Sequence, residues 1–273
     1  MTVSIEPAIE APSVERPVTI VIYLAALVGA QASEAFFSTE LSVACYSALL
    51  IALLNHFALA PASAELRAAL AGVALVPLLR IAALGLPQQF VPSVYWEALP
   101  AALVLATVFA LRRIVEPGGI GLPVRASSRR GWGAQPQVVL LLLTPSFALA
   151  SAFALYRLGL ASAQPGIGGP LDTSTAPATL AAVLVVAAFS GMTLEVVFRG
   201  VIQPALVALC GWQGVALTSL LYAGLFIGSA SWFVVLLAAA TGVVWGSFSA
   251  LTHRVSGVAA SHALFAMTWA ALF

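Results

Sequence analysis

Apolar residues run along this chain in long blocks, with no sustained alternation of apolar and polar positions. Nine blocks fall at 18–36, 41–60, 68–86, 96–111, 136–156, 178–198, 214–228, 232–251 and 257–273. A helix rises about 1.5 Å per residue, so about 20 mostly apolar residues cross a hydrocarbon core about 30 Å thick. Barrel strands would instead alternate apolar and polar side chains. The blocks therefore predict an all-α fold, a polytopic integral membrane helical bundle of about 8–9 transmembrane helices. Segment 203–210 is too short to span, and is expected to be an interfacial helix or part of a bent one.

Composition sharpens this. The chain has 273 residues, 62% hydrophobic and 8% charged, with a mean hydropathy of +1.05. A soluble domain carries many more surface charges. A soluble enzyme, a disordered protein and a nucleic-acid binder are thereby excluded, and a formal charge of +1 supplies no basic footprint for nucleic acid. Cys45 and Cys210 lie in or beside apolar segments and suggest neither a disulfide framework nor a thiolate metal site. No cofactor and no metal are expected.

Charge placement orients the bundle. All eleven basic residues are arginine, and five of them (Arg112, Arg113, Arg125, Arg129 and Arg130) share the loop 112–135 with one acid, Glu116. Such a loop is expected to be cytoplasmic. Counting outward puts 1–17 and the turns near Arg67 and Arg254 on the same side, with Arg157 and Asp172 outside. Residues 1–17 lack a signal peptide's basic start and apolar core, and are expected to form a polar, disordered tail. The chain then divides into that tail, an N-terminal bundle at 18–111, the basic loop at 112–135, and a second transmembrane domain at 136–273 with core motifs in 178–273. All-arginine, alanine-rich usage suggests a bacterial plasma (inner) membrane protein.

Charges inside spans are costly and so point to pairing or function. Arg80 lies in the third block, and Glu34 and Glu97 are the acids it is expected to pair with. Asn55 and His56 are given no role. Glu195 and Arg199 stand four apart, on one helix face, where they can pair. Read structurally, they form an ion pair at a helix end. Read functionally, they edge a polar cavity. His262 falls in the second turn of the last block, at a depth matching Glu195 and Arg199. Gly242 and Gly246 permit close packing nearby.

The stretch Leu194-Glu195-Val196-Val197-Phe198-Arg199-Gly200 resembles the Glu-Glu-x-x-x-Arg helix of the CAAX-protease and bacteriocin-processing (CPBP, Abi) family of intramembrane endopeptidases. Ser219 to Phe226 resembles the family's second motif, Phe-x-x-x-His. Ala260 to Ala266, around His262, resembles the third, His-x-x-x-Asn or Asp. The resemblance implies a helical membrane endopeptidase fold over about the last third of the chain. It also implies a water-activating glutamate, supported by two histidines and an Asn. Here those positions are Leu194 for the first glutamate, Phe226 for the second-motif histidine and Ala266 for the Asn. Leucine and phenylalanine neither take a proton nor bind metal, and Glu195 with His262 falls short of the three protein ligands of a catalytic zinc site.

Three functional readings stand. The first is a catalytically degenerate family member that acts as a binding or scaffold subunit for a transmembrane or lipidated peptide partner in membrane lipid. The second is an active endopeptidase using Glu195, Arg199 and His262 in a shifted arrangement, although Glu195 sits about 100° round the helix from position 194. The third is a small-solute transporter using Arg80, Glu34 and the Glu195 region. The candidate catalytic residues are Glu195, Arg199 and His262.

Overall fold

A computed structural model describes residues 15–59, 63–85, 98–115, 134–157, 177–227 and 232–272. Most of the expected tail, most of the basic loop, Glu97 and Asp172 lie outside the described residues. Those described are helical, in the order α1 (Glu15–Phe36), α2 (Thr39–Leu59), α3 (Ala64–Gly85), α4 (Ala98–Val115), α5 (Ala134–Arg157) and α6 (Pro177–Val197). A π-helical turn (Phe198–Ile202) then leads directly into α7 (Gln203–Cys210), followed by α8 (Gln213–Gly224), α9 (Trp232–Thr252) and α10 (Ser256–Leu272).

Each apolar block of the sequence coincides with a helix. Val18–Phe36, Thr39–Leu59, Glu65–Gly85, Ala181–Cys210 and Trp232–Thr252 are long and apolar enough to cross a membrane. Leu142, Val185 and Leu236 point outward, as side chains facing lipid do. The protein is an integral membrane helical bundle. Pro77 in α3 and Pro145 in α5 interrupt neither helix, since neighbouring helices and local adjustment re-satisfy the freed backbone in a bundle.

Two boundaries differ from the sequence reading. The sixth block does not end at Phe198. Its helix widens for one π turn and continues to Cys210, so Arg199 is an interior residue and the Glu195–Arg199 pair caps no helix end. The seventh block contains the 12-residue α8, about 18 Å long and shorter than the hydrocarbon core. Gly211 explains the break. It adopts φ +60, a left-handed value suited to glycine, and its N–H reaches the Val207 carbonyl at 2.8 Å. Gly214 then lets α8 fold back tightly, because a Cβ there would collide with the backbone of Leu206 and Val207.

The packing places the site. α10 lies against α6 and α5, α9 against α8, and α8 against α7. α3 packs on α2, on α4 and on the π turn with α7, and α1 reaches α8. One buried apolar cluster accordingly runs from Ile20, Leu27, Leu53 and Val73 in the first helices to Phe198, Ile202, Leu206 and Tyr222.

Candidate functional site

Glu195, Arg199 and His262, separated by up to 67 residues, converge at the centre of the second half. Glu195 is fully buried in the last turn of α6, Arg199 is 1% exposed in the π turn, and His262 is 6% exposed in α10. The Glu195 carboxylate is divided between the other two. Its Oε1 lies 2.9 Å from His262 Nδ1, and its Oε2 lies 3.3 Å from Arg199 Nε, an ion pair without hydrogen-bond alignment. Within 176–268 Glu195 is the only carboxylate side chain.

Three residues missed in the sequence complete the site. Tyr222 of α8 places its hydroxyl 3.3 Å from His262 Nε2. A neutral imidazole protonated at Nδ1 satisfies both neighbours, donating to Glu195 and accepting from Tyr222. Trp245 of α9 stacks on the His262 ring, with centroids 4.4 Å apart and planes inclined by 28°. Gln203, just past the π turn, donates to the Gly246 carbonyl at 2.8 Å, as Arg199 Nη2 donates to the Gly242 carbonyl at 2.9 Å. Two side chains of one helix thus bond two α9 carbonyls four residues apart. The Arg199 guanidinium also lies 5.6 Å from the centroid of the Tyr222 ring, within cation–π range.

Small residues make these approaches possible. A Cβ at Gly191 would lie 3.2 Å from His262 Cδ2 and from the His262 carbonyl oxygen. One at Gly242 would lie 3.3 Å from Ser219 Cα. The π turn adds the wider backbone ring common at functional sites in helices.

The three positions where the family resemblance implies catalytic groups are occupied differently. Leu194 and Phe226 pack against the main apolar cluster, and Ala266 packs against Val183 and Ala187. Glu195 faces His262. Both imidazole nitrogens and both carboxylate oxygens have protein neighbours. Among the described residues no group of three His, Cys, Asp or Glu side chains could hold a metal ion. The arrangement can hold four helical elements together and share a proton between Glu195 and His262. Of the carboxylate only Oε1 is hydrogen-bonded, while Oε2 faces Arg199 Nε in the ion pair. Elsewhere, His56 accepts or donates at 3.1 Å to Tyr23 across α1 and α2, and Arg80 pairs with Glu34.

Residues 176–268 match the family model described as Type II CAAX prenyl endopeptidase Rce1-like. That segment opens at the start of α6 and closes in α10, so it holds every residue of the site. No curated protein and no solved structure matches the chain.

Proposed function

From a chain whose residues 176–268 belong to the Rce1-like family of type II CAAX prenyl endopeptidases, we propose a catalytically degenerate member that binds without cutting. It is a scaffold subunit of the bacterial inner membrane that holds a transmembrane or lipidated peptide partner. One observation carries this reading: the only carboxylate of the family segment is wholly buried and held by Arg199 and His262. A general base needs a free lone pair within hydrogen-bond reach of the attacking water. Here the carboxylate is fully buried, with Oε1 bonded to the imidazole and Oε2 facing the Arg199 guanidinium, while apolar side chains stand at 194, 226 and 266. In this reading the N-terminus and the loop 112–135 face the cytoplasm.

The 2.9 Å Glu195–His262 contact favours a second reading, an endopeptidase in which this pair moves the proton. One experiment separates the two. Purified protein in lipid nanodiscs is incubated with prenylated and transmembrane peptides bearing a photoreactive group, beside a His262→Ala control. The expected result is cross-linking with the peptide intact. Loss of one oxyanion donor lowers rates about 100–1000-fold, and loss of the base about 100–10,000-fold, so cleavage should be undetectable. Cleavage that disappears in His262→Ala would establish the enzyme, and absence of any cross-link would remove the binding role. For orientation, an impermeant thiol reagent applied outside intact cells should fail to label Ser128→Cys in a background lacking Cys45 and Cys210.

A further inference from the structure

His262 is engaged at both ring nitrogens, by Glu195 Oε1 at 2.9 Å from Nδ1 and by the Tyr222 hydroxyl at 3.3 Å from Nε2. Both contacts lie along the edge of the ring. The torsion about Cβ–Cγ of a histidine is broad and roughly two-fold, so edge contacts alone leave the ring room to tilt. A tilt that favours one partner draws the opposite nitrogen away from the other. Holding both at once requires the plane of the ring to be fixed.

The face of the ring is where Trp245 lies, with centroids 4.4 Å apart and planes inclined by 28°. On the side of α6 the ring comes so close that a Cβ at Gly191 would lie 3.2 Å from His262 Cδ2. Trp245 is itself braced. It is 4% exposed, it meets Phe265 edge-on at 5.9 Å, and it packs with Leu140 of α5 and Val258 of α10 in a small cluster separate from the main one. α9 packs mainly on α8, and α10 on α5 and α6. The indole is the long side chain that reaches from α9 onto the imidazole of α10. Gly242 and Gly246 keep α9 close enough for this, since a Cβ at either would press on Ser219 or on Gln203 and Val215.

We infer that Trp245 is the positioning residue of the site: its indole fixes the imidazole plane, so that Nδ1 meets Glu195 while Nε2 meets Tyr222. It acts through His262. This role deepens the binding reading above and rests on it for its function, because a ring held in this plane keeps both nitrogens engaged within the protein. Without the indole the ring tilts, gives up Tyr222 or Glu195 in turn, and presents a free lone pair at Nε2 or loses its fixed proton at Nδ1.

The test is nitrogen-15 NMR of histidine-labelled, full-length protein in lipid nanodiscs. The chain has three histidines, and the His262 signals are those missing in His262→Ala. In wild type, His262 should show a single neutral tautomer, protonated at Nδ1 and bare at Nε2, with a slowly exchanging Nδ1 proton. Trp245→Leu keeps apolar bulk but removes the flat face. It should give shifts averaged between tautomers and exchange of the Nδ1 proton about tenfold faster, the protection lost with one neutral hydrogen bond. Trp245→Phe keeps a flat ring and should retain the wild-type signature. Leu53→Ala opens a cavity among the first helices, and should lower the melting temperature without moving the His262 signals. Should Trp245→Leu fail to fold, Trp245→Met, also apolar and without a flat face, carries the same expectation. An unchanged signature in these variants would overturn the inference, as would a wild-type His262 protonated at Nε2 or at both nitrogens. Equal shifts in Leu53→Ala would overturn it too, by showing general loosening. No peptide enters the measurement, so a failed cross-link would remove the binding role and leave the positioning role standing.

Discussion

Two glutamate–arginine ion pairs among the described residues differ in how they are built and how far they are buried. Glu34 and Arg80 come from different helices, 46 residues apart, and each keeps about one-fifth of its side-chain surface. Glu195 and Arg199 share one helix at i, i+4 and keep none. Both pairs keep buried polar atoms without a hydrogen-bond partner among the described residues, Arg80 Nε in the first and Glu195 Oε2, Arg199 Nε and Arg199 Nη1 in the second. The second is tied outward to α8, α9 and α10 through Tyr222, Gly242 and His262. Burial sets what each is worth. A fully buried charge left alone in low dielectric is severely destabilising, whereas a charge that water or lipid headgroups can reach is relieved. The inner pair therefore behaves as a fully enclosed joint, and the outer pair as a partly exposed one.

The largest expected effect tests the inner joint. Arg199→Gln leaves the buried Glu195 carboxylate with His262 as its remaining polar neighbour, and should lower stability by about 3–5 kcal/mol. The double change Glu195→Gln with Arg199→Gln should be milder than Arg199→Gln alone, because no buried charge is then unpaired. Denaturant titration in detergent micelles would measure both. Strictly additive losses would mean that the two residues do not interact. The matching change in the outer pair, Arg80→Gln, should lower stability by about 1–3 kcal/mol, between the values for exposed and buried pairs. A larger loss there than at Arg199 would reverse the comparison.

Glycine substitutions probe the same contrast at the backbone. Gly191→Ala would press a methyl group against the His262 backbone, which cannot yield as a flexible side chain can, and should destabilise by about 1–3 kcal/mol. Gly29→Ala in α1 meets nothing within 4 Å, and should be neutral or stabilising by up to about 1 kcal/mol through helix propensity. Melting curves of the two variants against wild type would decide. Equal behaviour would show that α6 and α10 do not depend on their close approach.

How far the sequence anticipates this architecture follows from what each feature needs. The helices were legible because apolar blocks of spanning length leave the backbone no other way to satisfy itself in lipid. The depth match of Glu195, Arg199 and His262 was legible from their offsets within adjacent spans. The π turn was not, since no residue pattern in Phe198-Arg199-Gly200-Val201-Ile202 forces a fifth residue into a helical turn. Tyr222 and Trp245 were hidden because an aromatic residue in an apolar block reads as core until a partner is seen. A signal existed for Tyr222, which stands where the second family motif has its Phe, four residues before Phe226. For Trp245 the hint was its place between the small residues Gly242 and Gly246. Arg80 had two candidate acids, and only folding α1 beside α3 selects Glu34 among the described residues.

The smallest effect compares two buried tyrosines. Tyr222 is 3% exposed and its hydroxyl reaches His262 Nε2 at 3.3 Å, whereas the fully buried Tyr46 sits beside Arg80 with no aligned hydrogen bond. Each phenylalanine variant removes one oxygen and leaves the ring in place. At 222 the ring still packs edge-on against Phe198 and Phe226, and only the bond to the imidazole is lost. A neutral hydrogen bond contributes about 0.5–1.5 kcal/mol net, so Tyr222→Phe should destabilise by about 1 kcal/mol. At 46 no aligned bond is lost, only the hydroxyl's contact with the Arg80 guanidinium. Tyr46→Phe should therefore lower stability by less than Tyr222→Phe. Thermal unfolding of both variants, followed by far-ultraviolet circular dichroism, provides the comparison. A Tyr46→Phe loss as large as that of Tyr222→Phe would mean that the Tyr46 hydroxyl is bonded as firmly as that of Tyr222, and the contrast between the two pairs would fail.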